Sequence, residues 1–193
     1  MYYVWEKALK LEDEFAFFSD ESPALDTTLW IGAERIPAPP AIELVGDSDS
    51  PSTLSDVLLT GFQLQVWSPR LVSLMADLGI KNVQYFPVTL IDHKTKQKDT
   101  TYRIANILGA IDCLDRDHSQ YRLATGNPNV FLRVSKFKIH IDKIVALPGL
   151  PEPPRLFRLG EFKRHILVHK SVAEACAGAK ITGLTFTPPE IYV

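Results

Sequence analysis

Two stretches of the chain, LVSLMADLGIKNVQYFPV (residues 71–88) and VAEACAGAKITGLTFTP (172–188), follow one pattern: helix, glycine, short turn, strand, proline. Glycine and proline punctuate structure strongly, so each unit holds its helix short and hands the chain to a strand. The other periodic segments alternate at period two and read as strands. Two short helices among many strands, without regular alternation, predict an α+β fold with a mixed or mostly antiparallel sheet rather than a wound βαβ fold. The likeness of the two units is one of architecture and carries no claim of duplication.

The first helix is the clearer. Ser68 is placed to cap it, Pro69 suits its first position, and Gly79 can close it in the left-handed conformation. Leu71, Leu74, Met75 and Leu78 share one face. NVQYFPVTLID, the charged loop HKTKQKDT and TYRIANILGAID then predict a hairpin, with Tyr102, Ile104, Asn106 and Leu108 on one face of the return strand. RVSKFKIHIDKIV predicts one half-buried strand, with Phe137, Ile139 and Ile141 inward and Lys136, Lys138, His140 and Asp142 outward. RLFRLGEF and HILVH predict two more strands. Ser171 with Glu174 forms a capping box for the second helix, Gly178 stops it, and GLTFTP ends the fold as a strand. Before residue 61 the chain is less regular. EFAFFSD, TLWIGAERI and Ile42–Val45 read as short strands among loops rich in proline, serine and aspartate. This divides the chain into an irregular acidic part, residues 1–60, packed on a main α+β domain, residues 61–193.

The net charge of −2 hides an asymmetry: residues 1–60 carry 12 acidic and 3 basic side chains, residues 61–193 carry 11 and 18. Pairing of the two parts within one fold explains this more simply than an acidic surface for a basic partner, because sequence segments are not surfaces. Apolar runs such as Ile144–Leu147 fall far short of the roughly 20 residues of a membrane helix, and MYYVWEKALK lacks the pattern of a signal peptide. Cys113 and Cys176 form no CxxC pair and make no disulfide framework, which points to a reducing, cytoplasmic location.

The densest polar cluster is AIDCLDRDHSQY, residues 110–121. Asp115, Asp117 and Ser119 match the first, third and fifth positions of a calcium loop. Gln120 and Gly126, however, stand where the turn glycine and the bidentate glutamate should be. Cys113 and His118 are two zinc ligands short of a site. A small hydrolase built on Cys113, or on Asp112, Asp115 and Asp117, would need a base or orienting partner that no local signature supplies. G-x-S-x-G, the phosphate loop and H-E-x-x-H do not occur. A nucleic-acid module would use Arg133, Lys136, Lys138 and Lys143, but Phe137 falls on the opposite face from Lys136 and Lys138, so no stacking platform forms. The cluster therefore reads as a turn after a strand that presents Asp115, Arg116 and Asp117 to a partner, with neither metal nor cofactor.

A larger pattern runs through Y-x-x-x-N-I-L, D-C-L-D-x-x-x-S, the basic strand VSKFKIHIDKI, L-F-R-L and I-T-G-L-x-F. In this order and spacing it resembles the bacterial immunity proteins of the eleventh polymorphic-toxin immunity family, over roughly Trp67 to Pro188. The matching positions are Asn106, Asp112, Cys113, Leu114, Asp115, Ser119, Phe157, Arg158, Gly183 and Phe186. The resemblance implies a non-enzymatic protein that binds and neutralises a cognate toxin domain. It supplies no catalytic residues.

Overall fold

The computed structural model describes residues 1–8, 30–37, 42–46, 54–58, 60, 64–147, 149–150 and 152–193. The predicted strand EFAFFSD lies outside them. The strands in chain order are β1 (Tyr2–Lys7), β2 (Ile42–Gly46), β3 (Val57–Leu58), β4 (Val66–Trp67), β5 (Val83–Asp92), β6 (Lys98–Asp99), β7 (Arg103–Ile107), β8 (Ala110–Ile111), β9 (Leu114–Asp115), β10 (Gln120–Ala124), β11 (Asn127–Ser135), β12 (Lys138–Ile139), β13 (Leu156–Leu159), β14 (Ile166–His169) and β15 (Leu184–Thr187). Helix α1 spans Pro69–Asp77 and α2 spans Lys170–Gly178.

Two mixed sheets dominate. One has the order β15-β1-β14-β13-β8, antiparallel except for the parallel pair β13–β8. The other has the order β2-β5-β7-β4-β3, with β6 also on β5 and β2 parallel to β5. The expected α+β class is what the chain adopts.

Three apolar clusters alternate with these sheets. The middle cluster takes Trp67 and Ile107 from one sheet, Ile166 and Val168 from the other, and Leu71, Met75, Val172 and Cys176 from the two helices. Leu167, one position out of phase in β14, points to the opposite cluster with Val4, Cys113, Phe137, Phe157 and Leu159. β14 is thus buried on both faces, which is why its sequence is an unbroken apolar run. Each such side chain contributes roughly 1.5–3 kcal/mol on burial. The third cluster packs Leu44, Phe86, Val88 and Ile104 on the far side of β5 and β7.

Helix α1 forms as its sequence dictates. The Ser68 hydroxyl accepts from the Leu71 N–H at 3.2 Å, Pro69 opens the helix, and Gly79 follows at φ +68°. Helix α2 departs from expectation at both ends. Its cap is His169, whose Nδ1 accepts from the Ser171 N–H at 3.3 Å, while Glu174 pairs with Lys170 instead of closing a capping box. Gly178 lies within the helix, and Lys180, at φ +53°, makes the left-handed turn.

Three predicted strands are also corrected. Trp30 and Ile31 are helical and residues 32–37 form no strand. Ala33 sits at φ +63°, and Gln84 clamps Ile36 by accepting its N–H at 3.0 Å and donating to its carbonyl at 2.7 Å. Side-chain amides there replace a strand ladder. TYRIANILGAID divides at Gly109 (φ +91°), sending β7 to one sheet and β8 to the other. RVSKFKIHIDKIV divides at Lys136 (φ +43°), whose N–H donates to the Tyr192 carbonyl at 2.6 Å. The alternation survives the break through Phe137, Lys138 and Ile139 and is lost at the 3-10 turn, where Ile141 is 55% exposed.

Candidate functional site

β9 and β12 place the AIDCLDRDHSQY cluster. Leu114 opposes Ile139 and anchors inward, and Asp115 opposes Lys138 at the surface. A single 3-10 turn, Arg116–His118, follows. Asp115 caps it: its carboxylate accepts from the Asp117 and His118 N–H groups at 3.2 and 3.3 Å and from His118 Nδ1 at 2.9 Å. His140 Nε2 stands 4.0 Å from Oδ1, the oxygen that accepts the two backbone N–H groups. Desolvation acts upward on this carboxyl, but the hydrogen bonds and charge of His118, with His140 adding, outweigh it and hold it below the usual carboxylate range. Ser119 closes the turn by donating to the Asp115 carbonyl and accepting from the Lys138 N–H at 3.0 Å.

Asp115 therefore braces the turn, and the exposed side chains of Arg116 and Asp117 are what it presents. The Arg116 guanidinium lies 4.9 Å above the Phe131 ring, a cation–π contact worth about 0.5–1 kcal/mol at an exposed site. Phe131 belongs to β11, which pairs only with β10 among the described residues. This two-stranded ribbon turns at Gly126 (φ +78°) and shifts register twice, around Leu123. Tyr121, Val130 and Leu132 are exposed along it, beside exposed Arg122 and Arg133. Sequence reasoning did not find the ribbon. Its one local signal was the Thr125–Gly126 turn.

The remaining cluster residues face elsewhere. Asp112 leans on Gly160, where a side-chain Cβ would fall 2.0 Å from its Oδ1. It does not join Asp115 and Asp117: among the described residues no three His, Cys, Asp or Glu side chains stand together as metal ligands would. Cys113 and Cys176 are fully buried free thiols. Burial pushes both up to about 12, helped at Cys113 by Glu161 and then Asp112, so neither is a thiolate at neutral pH. The rings of His118, His140, His165 and His169 make their contacts with partners other than a cysteine.

The motif positions prove architectural. Asn106 is wholly buried and donates to the Glu34 carbonyl at 2.8 Å. Gly183, at φ +80°, lies against the Val57 carbonyl with no room for a Cβ. Phe186 meets Trp5 edge-on at 5.7 Å. Arg158 is 2% exposed and bonds to the carbonyls of Lys163 and Trp30.

This geometry sets an exposed turn and ribbon on a layered body of sheets. The model of an immunity protein family (Imm11) matches residues 4–190, and the chain belongs to that family. The match takes in the N-terminal residues that the sequence motifs left outside. A comparison with curated proteins found no match. No helix among the described residues is long and apolar enough to cross a membrane.

Proposed function

We propose that this chain neutralises a cognate toxin of a polymorphic toxin system by stoichiometric protein contact in the cytoplasm, without catalysis of its own. The observation that carries the reading is the immunity-family match across residues 4–190. Asp115, Arg116 and Asp117, with the adjoining ribbon, form the contact surface. The turn is braced internally, so it meets a partner with little ordering cost, and its mixed charges favour fast, selective capture. Residues 61–193 supply this surface, and residues 1–60 pack on them through β1, between β14 and β15, and β2, on β5. The hydrolase alternative is disfavoured by the protonated, enclosed Cys113 thiol. The nucleic-acid alternative is disfavoured by the burial of Phe137 away from exposed Lys136 and Lys138.

The test is affinity capture from a lysate of the native cells with the tagged chain. The expected result is a partner in equimolar amount whose C-terminal domain arrests growth when expressed alone. Recovery of nucleic acid in its place, lost on raising the salt, would refute the proposal.

A further inference from the structure

A cavity of about 350 Å3 opens beside the sheet containing β1 and β13, and Lys7, Thr60, Gln65, Arg158, Arg164 and Trp5 are among the residues lining it. Its polar groups are mostly donors. Lys7 is half-buried, and its ammonium donates to the Leu64 carbonyl at 2.6 Å and the Thr60 hydroxyl at 3.4 Å. The Arg158 guanidinium is held by two carbonyls, at 2.8 and 3.0 Å. Among the described residues no carboxylate pairs with either cation. Behind the wall, Arg158 Nε, Trp5 Nε1 and Gln65 Oε1 are buried without a hydrogen-bond partner, in side chains at least nine-tenths buried. Arg164 adds a third cation, and Glu6 is the one acidic residue among the lining, its carboxylate accepting from the Thr187 hydroxyl.

Enclosed cations with no counter-ion among the described residues are costly unless an anion satisfies them. We propose that this cavity binds a small tetrahedral oxyanion, phosphate- or sulfate-like, held by Lys7, Arg158 and Arg164. Charge-assisted bonds from such donors are the strong kind, and the volume lies at the lower end of small-molecule sites.

Lys7 gives the site a pH dependence. Burial, and then the charge of Arg158, lower its ammonium to about 7. An anion favours the charged form, so binding takes up a proton and weakens as pH rises past that value. Of the other groups around the cavity, Arg158 stays charged with a value near 10, burial keeps His165 below its ordinary value, burial raises Tyr192, and Arg164 and Glu6 complete the set.

Isothermal titration of the full chain with sulfate, whose charge is fixed across this range, tests the proposal at constant ionic strength. One saturable site is expected, several-fold tighter at about pH 6 than at about pH 8.5, and about tenfold weaker in Lys7→Gln. Arg164→Gln, at an exposed position, serves if Lys7→Gln does not fold, and should weaken binding by a few-fold. Absence of saturation at about 10 mM sulfate or phosphate, or unchanged affinity in the folded variants, would overturn the site.

Discussion

Arg116 and Asp117 carry the residue-scale consequence of the proposed contact surface. Both are exposed at a turn whose geometry is set by Asp115. Arg116→Ala with Asp117→Ala should leave the melting temperature nearly unchanged, within the about ±0.5 kcal/mol typical of surface changes. Toxin affinity should fall by tenfold or more, about 1.4 kcal/mol; an unaltered dissociation constant by titration calorimetry would remove these residues from the interface. His165 governs a different property. Its ring stacks on Phe137 at 5.5 Å, meets Phe162 and Tyr192 edge-on at 4.7 Å, and has Nε2 2.8 Å from the Val134 carbonyl. Burial lowers its pKa, and the Val134 hydrogen bond only partly offsets this. The unfolded chain therefore protonates first as pH falls through about 6.5, and the stability present above that pH is lost below it. His165→Gln should cost about 2 kcal/mol at neutral pH through lost packing and flatten the acid limb of a melting curve series; an acid limb as steep as the parent's would contradict the assignment. None of this was legible in sequence, where His165 is one of five histidines and its aromatic neighbours are scattered from Phe137 to Tyr192.

Asp56 shows how two elements are tied into one structure. Its carboxylate accepts from the Ser68 hydroxyl at 2.6 Å and from the Thr182 N–H and hydroxyl at 2.9 and 3.1 Å, with Arg70 at 3.4 Å. It thereby fastens the start of α1 to the turn after α2. Asp56→Ala should destabilise the fold by about 2 kcal/mol, since it strands the buried Ser68 hydroxyl and releases Thr182; a loss under about 0.5 kcal/mol in urea titration would show the fastening is idle. At this scale the sequence was readable where signals are local. The cap, proline and glycine of α1 and the alternation of β5 needed no distant partner to be recognised. Asp56 sits in a stretch whose Pro, Ser and Asp composition says loop, and only contacts with Thr182 reveal its work. The ribbon was missed for a related reason. Its apolar residues fall on both faces, Phe131 inward but Val130 and Leu132 outward, so neither period stands out. Leu132→Asp should cut toxin affinity about tenfold with little change in stability; strong unfolding instead would mean Leu132 is packed, against its 48% exposure.

Across the whole molecule, layering explains both the fold and the reach of the family. Each large sheet is covered on both faces by apolar clusters, with the helices in the middle layer. β1 lies inside one sheet, registered against β14 and β15 at the far end of the chain. That placement accounts for a family match from residue 4, whereas the sequence motifs began near Trp67: a six-residue strand has no local signature, and its partners are distant. The motif residues were legible as a pattern but not as to their role, which is to pack and pin the layers. Of the proposed contact surface, the Asp115–Asp117 turn stood out by composition and the ribbon beside it did not. The central claim is that this chain silences a toxin by binding it. The most direct test expresses the captured partner's C-terminal domain in a naive bacterial host, with and without this chain, and follows growth. The account predicts arrest by the toxin domain alone and full recovery on co-expression; arrest that persists with this chain present in at least equimolar amount would contradict it.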